Sequence, residues 1–217
     1  KNPNHLNCSH NQQRLARRVP LTRHVAVEKA RKRMYLDLGA GDCDESVMWF
    51  KKEYPQANTF DIQAFEVDRR HFRCYRTFDN VQLHTLGVWI KDGFINFTRY
   101  HNVAYAIGPE NANLLRFAQE HHQRIWSIPC IDLSTYLMDN FVLDDFLVMK
   151  MDVAGAEWQI IPKLVSQGTW ELIDELWLEC HYYKGTHVPT VHSVLWSHCF
   201  RMYQNLRELG MYVHEWR

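Results

Sequence analysis

The chain has 217 residues, 46% of them hydrophobic and 13% aromatic, which suits one packed α/β domain with a short appendage and excludes a disordered chain. Lys plus Arg and Asp plus Glu number 25 each, so no global positive field draws nucleic acid to it. No apolar run approaches the roughly 20 residues of a membrane span, and no signal-peptide pattern is visible in a sequence that opens at Lys1 and so reads as trimmed.

Residues 1–33 are polar and basic, with Arg14, Arg17, Arg18, Arg23, Lys29, Arg31, Lys32 and Arg33 around Pro20. The four-residue spacings of Leu15 to Val19 and Val27 to Arg31 predict one or two short helices, a basic helical appendage to a domain over 34–217. Such a face is expected to be solvated on the domain edge, with an anionic-substrate patch as the sharper alternative. Met34–Leu38 reads as a short buried strand that breaks at Gly39-Ala40-Gly41 and runs into Asp42-Cys43-Asp44-Glu45. Val47, Phe50 and Tyr54 then keep helical spacing over Glu45–Tyr54, and Pro55 stops the helix.

A second apolar strand, Ile62–Asp68, ends in acid, and a helix near Arg69–Arg76 follows. Val81–Trp89 is predicted as a third strand, with Lys91-Asp92-Gly93 turning a hairpin into Phe94–Phe97. Residues 99–127 break the rhythm: Tyr100-His101-Asn102, Gly108-Pro109-Glu110 and His121-His122 mark an insertion with one helix, Ala112–Gln119, a candidate lid. Ile128–Ile131 precedes a helix over Leu133–Met138 opened by Asp132 or Ser134. Phe146–Asp152 is apolar almost throughout, as a strand covered on both faces must be. A turn at Val153-Ala154-Gly155-Ala156 leads into the helix Glu157–Val165, with Gly168 just past its end. Glu175–His181 is a strand, His192–Leu209 a long helix ended by Gly210, and Met211–Trp216 a last strand. The alternation predicts a three-layer, Rossmann-like α/β fold with a mainly parallel sheet and helices on both faces.

The six cysteines (Cys8, Cys43, Cys74, Cys130, Cys180, Cys199) form no CxxC pair, so spacing gives no zinc site. Their even count allows disulfides, but buried free thiols are the expectation. Asn7-Cys8-Ser9 and Asn96-Phe97-Thr98 match the glycosylation pattern; with the cysteines they tilt the localisation toward a secretory-pathway lumen rather than the cytoplasm.

Polar residues collect where the predicted strands end: Asp37, Glu66 and Asp68, Asp152, then Glu179 and His181. Ligands of an open parallel sheet sit outside the carboxyl ends of its strands, and lone charges are expensive to bury, so these ends predict a ligand cleft. The glycine turn lets the backbone come close to a ligand, and the acid of the second strand stands where a nucleoside's ribose hydroxyls are held.

The order of these motifs resembles the FkbM-type class I methyltransferases that use S-adenosylmethionine. The matching pieces are Leu36-Asp37-Leu38-Gly39-Ala40-Gly41, Ala64-Phe65-Glu66-Val67-Asp68, Leu86-Gly87-Val88 with its hairpin, Ile131-Asp132-Leu133, and Lys150-Met151-Asp152-Val153-Ala154-Gly155-Ala156-Glu157. The last is similar to the family's Lys-Ile-Asp-Val-Glu-Gly-Ala-Glu, and Glu179-Cys180-His181 looks like the Glu-X-His of animal methyltransferase-like relatives. Asp42 and Asp44 depart from the family's Asn and Gly, and Ala154 from its Glu. The resemblance implies a cofactor held by Asp37 near its amino group, by backbone around Gly39, Ala40 and Gly41 with Asp42 and Ser46, and by Glu66 on the ribose. Val67, Val88 or Trp89 would border adenine, Asp68 and Gly87 would belong to the same cofactor site, and Asp152 would stand beside the methyl.

The implied reaction is O-methylation of a hydroxyl on a carbohydrate or other small metabolite. A hydroxyl acceptor benefits from a base as the bond forms. Histidine titrates near neutrality, so His181 is the expected base and Asp152 the orienting group, with Lys150 or Glu157 in support. Glu157 is alternatively a helix-opening acid, and His181 a structural histidine. A divalent metal on Asp152, Glu157 and His181 is the weaker alternative, and the expected site is metal-free. Trp89, Trp126, Tyr100 and Tyr105 could stack on a sugar or pack in the core. The rivals are a nucleic-acid methyltransferase, a catalytically silent cofactor-binding module, and an NAD-dependent oxidoreductase, whose Gly-X-Gly-X-X-Gly fingerprint position 44 does not meet.

Overall fold

The computed structural model describes residues 26–100, 103–108, 112–182 and 194–216. The expectations for the basic segment up to Arg23, for Asn7-Cys8-Ser9, and for His101-Asn102, Pro109-Glu110 and His192 lie outside these residues.

In chain order the first strands are β1 (Arg33–Leu38), β2 (Asp61–Phe65), β3 (Val81–His84), β4 (Gly87–Trp89) and β5 (Gly93–Tyr100). They are followed by β6 (Val103–Ile107), β7 (Ile125–Asp132), β8 (Phe146–Met151), β9 (Glu175–Leu178) and β10 (Tyr212–Glu215). The helices are α1 (Val47–Glu53), α2 (Phe72–Tyr75), α3 (Ala112–Glu120), α4 (Leu133–Asn140), α5 (Glu157–Gln167) and α6 (Trp196–Glu208). Six strands form one sheet in the order β10-β9-β8-β1-β2-β3, every neighbouring pair parallel. A second, four-stranded sheet has the order β4-β7-β5-β6 and is mixed: β4 runs parallel to β7, while β5 is antiparallel to both β6 and β7.

Period-two alternation along the buried strands sends side chains to two separate cores. Leu36, Leu38, Met149, Met151 and Leu178 join α4, α5, α6 and the second sheet on one face. Tyr35, Ile62, Ala64 and Val148 meet Val47, Phe50 and Tyr75 of α1 and α2 on the other. Strands covered on both sides must be apolar throughout, which is why β1 and β8 were recognisable. Asp132 caps α4, its carboxylate accepting from the Ser134 and Thr135 amides. Gly168 ends α5 in the left-handed conformation at φ 75°.

The region after β2 departs from expectation. The predicted strand Val81–Trp89 is two strands in different sheets: the Glu66 amide donates to the His84 carbonyl at 3.0 Å, and the chain leaves the first sheet there. Gly87 then packs against β7 so closely that a Cβ on it would stand 2.7 Å from Cys130 Sγ. Asp92-Gly93 closes no β4–β5 hairpin, because β7 lies between those strands and the Asp132 amide donates to Asp92 Oδ1 at 2.8 Å. The antiparallel hairpin is β5–β6, so the expected insertion over 99–127 contributes an edge of the second sheet as well as α3. The free-thiol expectation is also corrected: Cys43 pairs with Cys74 and Cys180 with Cys199, while Cys130 is free and buried. Both pairings join segments that no local pattern relates.

Gly39 has φ +71°, and a Cβ there would lie 1.8 Å from the Asp152 carbonyl oxygen; Gly41 has φ +55° with nothing within 4 Å. Gly39 is thus demanded by packing between the ends of β1 and β8, Gly41 by backbone conformation alone. Gly39→Ala is expected to cost about 3 kcal/mol or more of folding stability, Gly41→Ala only about 1–2 kcal/mol. Urea unfolding of both variants tests this; equal losses would contradict the packing argument.

Candidate functional site

Beyond the carboxyl ends of β1, β2, β8 and β9, under the inner face of the β5–β6 hairpin, lies a cavity of about 490 Å³. That is an ordinary size for a small-molecule site. The strand order reverses here: the chain runs outward from β1 through β2 and β3, then returns to β8 on the other side of β1. The cavity wall carries the carboxylates of Asp42, Glu45, Glu66, Asp68, Asp152 and Glu179 and the imidazoles of His71 and His181. Among the described residues no Lys or Arg lines it.

Beneath this wall is a buried ion cluster. Lys150, at the end of β8 and 2% exposed, donates to the Gly39 carbonyl at 2.7 Å. Its ammonium stands 3.3 Å from Asp37 Oδ1 and 3.4 Å from Asp152 Oδ2. Burial opposes its charge, but Asp37 and then Asp152 outweigh burial and raise its pKa. For Asp37, which is fully buried, the balance goes the other way: desolvation lifts its carboxyl above the usual range despite Lys150 and Ser46. The Ser46 hydroxyl sits between the Asp37 carboxylate and the Ala40 carbonyl, and Tyr75 donates to the same carbonyl at 2.9 Å. Asp37, Ala40, Ser46 and Lys150 are therefore behind the cavity wall and hold the glycine turn from inside.

Glu66 follows β2 and faces the cavity with 6% exposure. One of its oxygens accepts from the Gly41 amide and the other from the Asp68 amide, both at 2.6 Å. Each carboxylate oxygen keeps a second lone pair for a ligand donor. Burial raises the Glu66 pKa, and these backbone donors offset part of the rise. Asp68 accepts from Arg70 and Arg99, each at 2.8 Å. Burial pushes its carboxyl up, yet Arg70 first and then Arg99 hold the pKa down at about 2. Arg99 belongs to β5, so Asp68 ties the second sheet to the rim of the first; Arg99 also lies over the Trp126 ring, 5.4 Å from its centre.

On the far wall, Glu157 is fully buried at the start of α5. One of its oxygens accepts from the His181 amide at 2.7 Å and lies 3.1 Å from His181 Nδ1. The other accepts from the Gly155 amide at 2.9 Å. Glu157 is thus more than an acid near a helix dipole: it fixes the turn after β8 and the imidazole together. That turn holds Ala154 at φ +52°, a conformation that L residues with a Cβ rarely adopt. His181 Nε2 faces Asp152 Oδ1 at 3.7 Å. Burial disfavours its charged form, but Glu157, then Asp152 and Glu179, raise its pKa to about 9. These carboxylates thus favour the imidazolium form of His181.

Of the residues singled out in the sequence, Gly39, Gly41, Asp42, Glu66, Val67, Asp68, Gly87, Val88, Asp152 and His181 line the cavity. Trp89 lines it too, whereas Tyr105 is buried in the second sheet and Trp126 packs beside Phe97. Sequence reasoning missed the wall formed by Phe97, Val103, Ala104 and Ala106, and also His71. The signal for that wall was present in the strand-like run Val103–Ile107, which lies inside the segment read as a lid.

The model of a family described as a domain of unknown function, DUF7870, matches residues 90–217. That is more than half of the chain, and the chain belongs to this family. Neither the curated proteins nor the solved structures give a match. The matched region holds Asp152, Glu157, Glu179 and His181, while the glycine turn and Glu66 precede it.

The Asp68 pairs give a pH dependence with a definite sign. Its pKa is lowered from about 3.9 in an unfolded chain to about 2, so its contribution to stability is complete above pH 4 and lost as pH falls through about 2. In acid titrations followed by circular dichroism, the stability gap between the native chain and Asp68→Asn should close over that range. A gap that persists to pH 2 would show that the pairing does not carry the effect.

Proposed function

We propose that this member of the DUF7870 family is an S-adenosylmethionine-dependent methyltransferase, with the donor in the cavity outside β1, β2 and β8 and a hydroxyl as acceptor. The observation that carries the reading is the charge of the wall: six carboxylates, two imidazoles and, among the described residues, no Lys or Arg. Such a wall attracts a cationic ligand and repels a pyrophosphate. It therefore favours a donor with a sulfonium and an ammonium over a nicotinamide dinucleotide.

The strand order suits this donor and a dinucleotide alike. It is the doubly wound order in which a nucleoside lies at the switch between the first and fourth strands, here β1 and β8. A Rossmann-like, class I methyltransferase fold, with the second sheet as an addition over the cavity, is the fold we infer. Gly41 fits the donor as well, since nothing occupies the space where its Cβ would point. Glu66, still able to accept from two hydroxyls, fits the ribose.

When bound, S-adenosylmethionine would supply a methyl group on a positive sulfonium, the methyl passing to the acceptor oxygen as S-adenosylhomocysteine leaves as a neutral thioether. The chain's part is placement and proton handling. Asp152 faces the cavity between Lys150 and His181, the position from which a carboxylate can accept a hydrogen bond from the acceptor hydroxyl. His181, held by Glu157, stands beside it and receives that proton once its own has left. A carbohydrate or small metabolite is the acceptor class we favour. The Cys43–Cys74 and Cys180–Cys199 pairs fit an oxidising compartment such as the secretory lumen.

Calorimetry with S-adenosylhomocysteine, S-adenosylmethionine and NAD tests the donor. Both adenosyl ligands are expected to bind and NAD is not; tighter binding of NAD would overturn the reading. Glu66→Ala should weaken S-adenosylhomocysteine about 10- to 100-fold, the worth of hydrogen bonds to a charged group. Asp152→Ala combined with His181→Ala should keep that binding yet abolish release of S-adenosylhomocysteine in the presence of an acceptor. Unchanged turnover in the double variant would remove the assignment of these two residues, and binding without turnover in the native chain would favour a silent module.

A further inference from the structure

We propose that Asp152, Glu179 and His181 bind one divalent first-row transition-metal ion, of the manganese or zinc type, on the far wall of the cavity. One donor atom from each residue lies within 4.8 Å of the others, and all three side chains are partly exposed. They line the same cavity. His181 Nε2 and Asp152 Oδ1 are 3.7 Å apart. Ligands at about 2.0–2.2 Å from an ion stand about 3 Å from one another, so side-chain rotations suffice to close the set. One imidazole and two carboxylates suit an ion of intermediate softness rather than calcium or magnesium, which take oxygen ligands.

A second observation points to a ligand independently of the cluster. Metal-binding histidines present one ring nitrogen while the other is held by a carboxylate. His181 has this arrangement: Nδ1 lies 3.1 Å from Glu157 Oε1, Glu157 is fully buried, and Nε2 is left facing Asp152. The backbone carrying two of the ligands is also fixed. The Glu179 amide donates to the Met151 carbonyl at 2.9 Å, Trp158 Nε1 donates to the His181 carbonyl at 2.9 Å, and Cys180 between them is bonded to Cys199 of α6. Rigid support of this kind is what a metal site needs.

The charge balance agrees. Lys150 pairs with Asp37 and Asp152, and the Glu157 carboxylate is left to His181. Asp152 still has an oxygen to offer, because Lys150 approaches Oδ2 and His181 approaches Oδ1. The role of the ion rests on the methyltransferase reading. There it would take the acceptor hydroxyl as a further ligand and lower its pKa, which frees His181 from acting as a base.

The test uses the full chain with both disulfides intact, without a polyhistidine tag, stripped with EDTA and dialysed. Calorimetry and thermal melts are run with manganese(II) chloride and zinc chloride, and with magnesium chloride as the hard-cation control. We expect one equivalent of manganese or zinc to bind with Kd at or below about 100 µM, and the melting temperature to rise with concentration. Glu179→Gln, nearly isosteric and at a partly exposed position, should weaken binding about tenfold or more, as should Asp152→Asn. Glu45→Gln, on the same cavity but outside the cluster, should leave it unchanged. Absence of saturable binding up to about 1 mM, or native affinity in Glu179→Gln, overturns the proposal. Ion binding without S-adenosylhomocysteine binding would sink the donor reading alone; the reverse would sink the metal site alone.

Discussion

The rim of the main sheet depends on one buried ammonium. Lys150 reaches from the end of β8 to the Gly39 carbonyl, to Asp37 at the end of β1, and to Asp152 just beyond its own strand. A buried charge without partners costs several kcal/mol, and removing one member of such a group leaves the others uncompensated. Here the cation lets two acids sit close together at neighbouring strand ends. It also locks the turn at Gly39 against the Asp152 carbonyl, so closely that a Cβ there would collide. The two strands at the switch in strand order are thereby held in the register their main-chain ladder sets.

From this constraint follows a division among the acids. Asp37 and Glu157 face inward: one takes Ser46 and Lys150, the other takes the Gly155 amide and His181. They shape the cavity wall without touching its contents. Asp42, Glu66, Asp152 and Glu179 face the cavity. Asp68 stands between the two groups, lining the cavity while its carboxylate is taken up by Arg70 and Arg99. The second sheet owes its seat over the rim partly to that contact, since Arg99 comes from β5.

Much of this was legible in the chain, for identifiable reasons. β1 and β8 announce themselves because strands buried on both faces are apolar at consecutive positions, β2 by the apolar run that ends in Glu66, and the strand ends by glycine and acid. The helix boundaries at Asp132 and Gly168 follow from side-chain capping and left-handed backbone, which are local. The second sheet was not legible in the same way. β4 pairs with β7 across roughly 40 intervening residues, and nothing local distinguishes that pairing from a hairpin at Asp92-Gly93. The disulfide partners are equally non-local. At the site, sequence could mark strand-end acids but not their direction. Whether Asp37 points at a ligand or at Lys150 is decided by a residue more than 100 positions away.

The six carboxylates of the cavity wall tie the chemistry of the site together. On the proposed reading, a proton on His181, the sulfonium of the methyl donor and a divalent ion on Asp152, Glu179 and His181 would all answer to the same field. The proton and the ion also compete for the same imidazole nitrogen, so ion binding must release the proton. The sulfonium competes only through space, and its effect falls with distance and with the water between. A site able to hold donor and ion together must therefore separate them, with the donor against Glu66 and the glycine turn and the ion against Glu157 and the Cys180-linked strand end. The cavity offers that separation. Glu66 and His181 stand on opposite flanks of the β1–β8 pair, with Asp152 between them.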